Sequence, residues 1–377
     1  MASRAIAGYR VYLRQRPVVL AALTVLAIVF FLAVAGLSRA HQAQRLAIGA
    51  RWFNRGIADL NAKRYDAAVT DLRAALLYAP DEYSYQLKLA EALIGQGHSG
   101  EALAYLTNLW DREPENGFVN LELARIADQR GETDDAIRYY HNAVYAVWPS
   151  DQEGMRRDAR LELINLFLRI RDKAQAQGEL IALAASVGPD PVQQERIGEL
   201  FLRAEDYQHA RQAFDRVLNA DRHNAAALAG AGYAAFELRQ YGLAEHYLQA
   251  ALAANANDTA SADRLKTTQM VLRMDPFRRK MSVSERDRIV VEAFQVAGER
   301  LNSCKPPVAG AWQPSMSDQW TRLKPQINGQ GLRRNPDLVE TAMDLVFRTE
   351  RETSIACGPP TGTDLALLLI SKMHEGS

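Results

Sequence analysis

The chain has 377 residues, 48% hydrophobic and 24% charged: an ordinary globular composition, but too much chain for one small core. Its 45 basic and 45 acidic residues cancel, yet the first acid, Asp59, is preceded by eight arginines (4, 10, 14, 16, 39, 45, 51 and 55) and no lysine. The remaining 37 basic and 45 acidic residues give the rest of the chain a net charge of −8, which argues against nucleic acid as a partner. The basic N-terminus is better matched to anionic lipid headgroups.

After a basic tail at 1–16, residues 17–38 read PVVLAALTVLAIVFFLAVAGLS, 22 positions without a charge. At about 1.5 Å per helical residue this run crosses a hydrocarbon core of roughly 30 Å. Two membrane readings fit. Ala33-Val34-Ala35 has the small-x-small form of a signal-peptide cleavage site. The length of the run, and Arg39 directly after it, favour an uncleaved signal anchor. Four arginines lie on each side of the span, so the positive-inside count is nearly balanced. The four before it have no acidic neighbours and sit on a short tail, which favours a cytoplasmic N-terminus and an extracytoplasmic body. Residues 39–48 (RAHQAQRLAI) lack Pro and Gly and read as a helical linker that continues the span.

From Gly49 the sequence repeats every 34 residues. Windows starting at Gly49, Tyr83 and Gly117 place Ala68, Ala102 and Ala136 at position 20, and Leu72, Leu106 and Tyr140 at position 24. Pro80, Pro114 and Pro149 close them. After an insertion of six residues around Pro149–Gly154 comes a weaker unit with Ala176 and Leu180. Two clear units follow, with Ala210 and Phe214, then Ala244 and Leu248. Each unit carries two amphipathic helices. Small residues at positions 8 and 20 let the helices approach, and proline stops the second helix. A single unit cannot bury its own apolar face, so the units must stack.

This pattern over 49–257 resembles the tetratricopeptide repeat family, to which Trp52 and Gly56 also conform. The expected fold is all-α: one N-terminal transmembrane helix, a solenoid of about six helical hairpins at 49–257, and a small helical region at 258–377. In that family the hairpins form a superhelix whose concave face binds peptides or protein segments. The resemblance implies that positions 2, 5, 9 and 12 of each first helix line this face, which gives Glu91, Arg125, Asp128, Asn165, Glu199, Tyr233 and Phe236 as polar and aromatic contacts for other proteins. Asn165 stands at a position 9, but Leu161 occupies the matching position 5, so the family's carboxylate clamp is not implied. The layout is similar to that of bacterial single-span repeat proteins of envelope biogenesis and translocation. A cytoplasm-facing regulatory adaptor is the alternative, and an enzyme acting on envelope polymers is a third reading.

Beyond Asn257 the period is lost. The spacing predicts a polar-faced cap helix at Ser261–Met274 and a helix from Ser284. A mostly irregular stretch follows from Cys304 to Asn335, with a short helix near Asp318–Lys324. Two more helices are predicted, one after Pro336 and one at Thr363–His374. The six apolar residues Leu365–Ile370 are too few to span a bilayer and belong to a buried helix. The only cysteines, Cys304 and Cys357, each end a helix. A disulfide between them, which fits an oxidising compartment, is the expectation, and two free buried thiols are the alternative. No HExxH, GxSxG, Walker loop or dinucleotide fingerprint follows a predicted strand, and the seven histidines are scattered. Neither a cofactor, a metal site nor catalysis is therefore expected. Partners are proteins on the repeats and the bilayer at 17–38.

Overall fold

The computed structural model describes residues 2–305 and 312–374, with side chains from residue 20 onward. Among these residues there are helices and no strands. The first helix, α1 (Ala2–Asn61), is 60 residues long and runs without a break from the basic tail into the first repeat. From residue 20 it is the one described helix long and apolar enough to cross a membrane. Its apolar side chains there are bare, with Phe30 and Phe31 at 70% and 71% exposure.

Eleven helices then follow in hairpins: α2 (Tyr65–Leu76), α3 (Tyr83–Gly95), α4 (Ser99–Arg112), α5 (Gly117–Arg130), α6 (Thr133–Tyr145), α7 (Glu153–Arg169), α8 (Lys173–Ser186), α9 (Pro191–Arg203), α10 (Tyr207–Ala220), α11 (Ala225–Glu237) and α12 (Tyr241–Ala254). The turn inside each hairpin contains one residue with left-handed backbone: Lys63, Gly97, Gly131, Arg171, Glu205 and Arg239. These positions recur at 34 residues, with a single step of 40 between Gly131 and Arg171 that carries the insertion. A 3-10 turn at Ser150–Gln152 absorbs the extra chain just before α7. Glycine serves the left-handed position in two units only, so the other four turns accept a side chain in a conformation that disfavours it.

The small residues do what the period requires. A Cβ added at Gly56 would come within 2.7 Å of Leu72, one at Gly198 within 2.8 Å of Phe214, and one at Gly232 within 2.8 Å of Leu248. Position 8 must therefore be small because position 24 of the same unit packs directly on it. Ala68, Ala102, Ala136, Ala176, Ala210 and Ala244 are all completely buried. Helix starts are capped by short polar side chains: Asn116, Asp172, Asp190, Asp206 and Asn224 each accept a hydrogen bond from a first-turn amide.

The chain divides into two compact units, 1–163 and 164–377. In the first, Leu72, Leu89, Leu93, Leu106 and Leu109 form a core between α1 and α5. In the second, the repeats from α9 onward are followed by α13 (Thr259–Met274), α14 (Val283–Ser303), α15 (Trp312–Leu323), α16 (Gly329–Arg334), α17 (Asp337–Cys357) and α18 (Gly362–His374). Their core joins Val271 and Met274 of α13 to Val290 and Phe294 of α14, Met343 and Val346 of α17, and Leu367 and Ile370 of α18. Phe294 stacks on Trp320 with ring centroids 4.0 Å apart.

Three expectations change here. The helix at 259–274 is not a free polar-faced cap, because Val271 and Met274 are buried in the core it shares with α18. Residues 312–335 are more ordered than their prolines suggest. Trp312, Met316 and Trp320 recur every four residues and line one side of α15, and Pro314 falls in the first turn, where no amide partner is lost. Leu332 anchors α16, a helix the sequence reading missed, by burying completely. The helix expected from Ser284 starts at Val283, capped by the Ser282 hydroxyl. Pro306 and Pro307 lie outside the described residues.

Candidate functional site

The first-helix faces of each compact unit carry the candidate contacts. In the first, Lys88 pairs with Glu91 at 2.8 Å. Arg125 on α5 holds two carboxylates, Glu122 at 2.6 Å one turn away and Glu162 on α7, also at 2.6 Å. The Tyr140 hydroxyl donates to the same Glu162 at 3.0 Å. Burial pushes the Glu122 carboxyl up, and Arg125 pulls against that. The guanidinium is itself raised, chiefly by its hydrogen bond to Glu162. Arg125 is thus a structural clasp between consecutive repeats, and its removal would strand the nearly buried Glu122 without a counter-charge. Asp128 is half-buried on the same helix and adds negative potential at Tyr140.

In the second unit, Asn165 accepts from Arg203 at 3.3 Å. Glu199 is exposed on α9. Tyr233 meets Tyr207 edge-on at 6.0 Å and lies 4.1 Å beneath the Arg264 guanidinium. Arg264 also covers Phe236 at 5.7 Å, and Phe236 packs against the C-terminal core. Burial raises the Glu237 carboxyl beside this cluster, against the pull of Arg264. Tyr207 is pushed up to about 12, by burial first and by Glu237 next. Two of the expected groove aromatics are therefore covered by the chain's own α13. Arg264 and Glu162 escaped the sequence reading because each arrives from a different helix.

A second polar cluster lies in the C-terminal helices. A disulfide joins Cys304 and Cys357, with Cα atoms 5.8 Å apart, and ties the end of α14 to the end of α17. One turn before it, the Arg300 guanidinium donates to Thr353 Oγ1 at 2.8 Å and to the Gly358 carbonyl at 2.9 Å. It also faces the fully buried Glu350 at 3.4 Å and Asp364 of α18 at 4.0 Å. As carboxylates, neither Glu350 oxygen nor Asp364 Oδ1 has a hydrogen-bond partner. Burial and the neighbouring Asp364 raise the Glu350 carboxyl, and a proton held there would let Glu350 donate toward Asp364, pairing one oxygen of each. Among the described residues no group of three or more His, Cys, Asp or Glu could hold a metal ion.

The described geometry is one of repeated first-helix faces and structural clasps. The profile of the tetratricopeptide repeat family matches residues 53–107, 87–151 and 196–259. Residues 53–151 and 196–259 match tetratricopeptide repeats. Against curated proteins, a stretch of 89 residues, 24% of this chain, is 30% identical to the Homo sapiens Superkiller complex protein 3, of which it spans only 6%. Among solved structures, the chain aligns with YrrB, described as a TPR protein with an unusual peptide-binding site, at 14% identity and a TM-score of 0.41, over 51% of this chain and 95% of that one. The Pseudomonas aeruginosa pilF structure aligns at 16% identity and a TM-score of 0.39, over 60% and 98%. PilW, a type IV pilus biogenesis factor, aligns at 14% identity and a TM-score of 0.38, over 59% and 98%.

Proposed function

We propose that this chain is a membrane-anchored tetratricopeptide scaffold that binds protein partners on the first-helix faces of its repeats. The six-fold register of left-handed turns, with small residues packed at positions 8 and 20, carries the reading. Such units stack side by side and leave one row of first helices for a partner. The bare apolar stretch of α1 supports an anchor at 17–38, with 1–16 as a basic tail, 39–48 as a stiff linker, 49–257 as the array and 258–377 as a C-terminal domain. The disulfide supports an oxidising, extracytoplasmic setting for the array, at the cytoplasmic membrane. A role in envelope assembly or protein translocation fits that placement. The acidic body leaves nucleic acid out of the reading.

Capture of partners from native membranes tests the binding face. Glu91→Lys with Glu199→Lys reverses two charges on first helices and leaves Arg125, Glu122 and Glu162 themselves unsubstituted. Asp111→Lys, on an exposed second-helix site, is the control. The double variant is expected to lose partners that the control retains. Identical partners for all three proteins would sink the first-helix reading.

A further inference from the structure

The loop between α13 and α14 is built unlike the repeat turns. It reads Pro276-Phe277-Arg278-Arg279-Lys280-Met281-Ser282-Val283, three cations with no acid. Both ends are pinned. The Asp275 carboxylate accepts from the Phe277 amide at 2.9 Å, and the Ser282 hydroxyl accepts from Glu285 at 3.2 Å. Between these pins Lys280 takes a left-handed backbone, φ 66°, and turns the chain. Arg278, Arg279 and Lys280 all face solvent, with no acidic partner among the described residues. The nearest acids in the sequence are engaged elsewhere: Asp275 is buried and meets His374 at 3.4 Å, and Glu285 faces Arg288 at 3.9 Å.

Two apolar side chains project beside these cations. Phe277 is 39% exposed, its inner edge resting on the His374 ring at 4.9 Å, and Val283 is 54% exposed. The cleft behind Phe277 is lined by Glu340, Asp344, Arg348 and Arg351, two charges of each sign, and so does not neutralise the loop. A fixed turn carrying three unpaired cations and flanking apolar groups matches the interface of an anionic bilayer. Cations remain at headgroup level while aromatic and aliphatic groups enter the acyl boundary.

We infer that residues 276–283 form a second membrane contact, binding anionic phospholipid headgroups through Arg278, Arg279 and Lys280 and inserting Phe277 and Val283. This rests on the anchored reading, since α1 keeps the bilayer close to the body. The contact would hold the C-terminal helices against the membrane surface and limit how the array presents itself.

Trypsin reads the loop directly, because its cations are cleavage sites. The full chain is reconstituted in vesicles of phosphatidylcholine alone or with about a third phosphatidylglycerol. Cleavage after Arg278, Arg279 and Lys280 is normalised to cleavage after Arg222, an exposed turn residue. The anionic vesicles are expected to slow loop cleavage at least about tenfold, and about 1 M salt to abolish the difference. Phe277→Ser is expected to weaken the protection. Equal cleavage in both vesicles overturns the inference, as does protection by an acidic peptide or an oligonucleotide without any effect of anionic lipid. Retention of the chain through an alkaline carbonate wash reports the anchor separately, so the two failures read differently.

Discussion

Replacing Cys304 and Cys357 with serine is expected to lower the stability of the C-terminal helices by about 4 kcal/mol. The bond closes a separation of 53 residues, and cross-linking a loop of that length removes conformations mainly from the unfolded chain. The folded side reinforces this. The disulfide brings Cys304 to the end of α17, one turn from the point where Arg300 binds Thr353 and Gly358. Losing the tether frees both helix ends, and the Arg300 contacts fray with them. Proteolysis across a urea series, following peptides from 283–374 in the purified full chain, checks this. The midpoint should fall for those peptides and for the wild type after reduction, while peptides from 53–130 keep theirs. An unchanged midpoint for 283–374 would mean that packing alone holds these helices.

The C-terminal helices are also expected to lose stability as pH rises from about 5 to about 8, and Glu350→Gln should remove most of that dependence. Burial first, and the nearby Asp364 charge second, push the Glu350 carboxyl from its usual 4.5 up to about 8, against the pull of Arg300. A raised carboxyl is protonated in the folded state while the unfolded chain has already released its proton. The contribution is therefore complete below about pH 4.5 and falls away until pH passes 8. Its size is on the order of 5 kcal/mol. Glutamine keeps the shape and supplies a permanent donor toward Asp364, so the variant should equal the wild type near pH 5 and exceed it at pH 8. The same urea series at the two pH values gives the comparison. Parallel pH profiles for the two proteins would contradict a protonated Glu350.

The difference between what the sequence revealed and what it concealed follows from how far each contact reaches along the chain. The hairpins were legible because the contacts that define them are local and repeated. Gly56 meets Leu72 sixteen positions on, and Gly198 with Phe214 and Gly232 with Leu248 repeat that spacing, so the period itself records the packing. The left-handed turns follow the same register. Arg264 over Tyr233 was not legible, since α13 lies beyond the period and nothing in the repeats announces what will cover them. Glu162 was hidden for a nearer reason: the six-residue insertion displaces it from the spacing at which a partner for Arg125 would be sought. In the C-terminal region the two cysteines suggested a link. The juxtaposition of Arg300, Glu350 and Asp364 depends on three helices meeting, which no short-range pattern encodes. Prolines misled the reading of 312–323 because their effect depends on position within a turn, and Pro314 occupies a tolerant one.

That the array works outside the cytoplasm on a membrane anchor is tested most directly by thiol labelling in intact cells. A membrane-impermeant maleimide is added before and after reduction, with the membrane intact and then broken, and the mass shift is read. With the membrane intact, Cys304 and Cys357 are expected to react only after reduction. Labelling without reduction, and only once the membrane is broken, would place reduced cysteines in the cytoplasm and contradict the account.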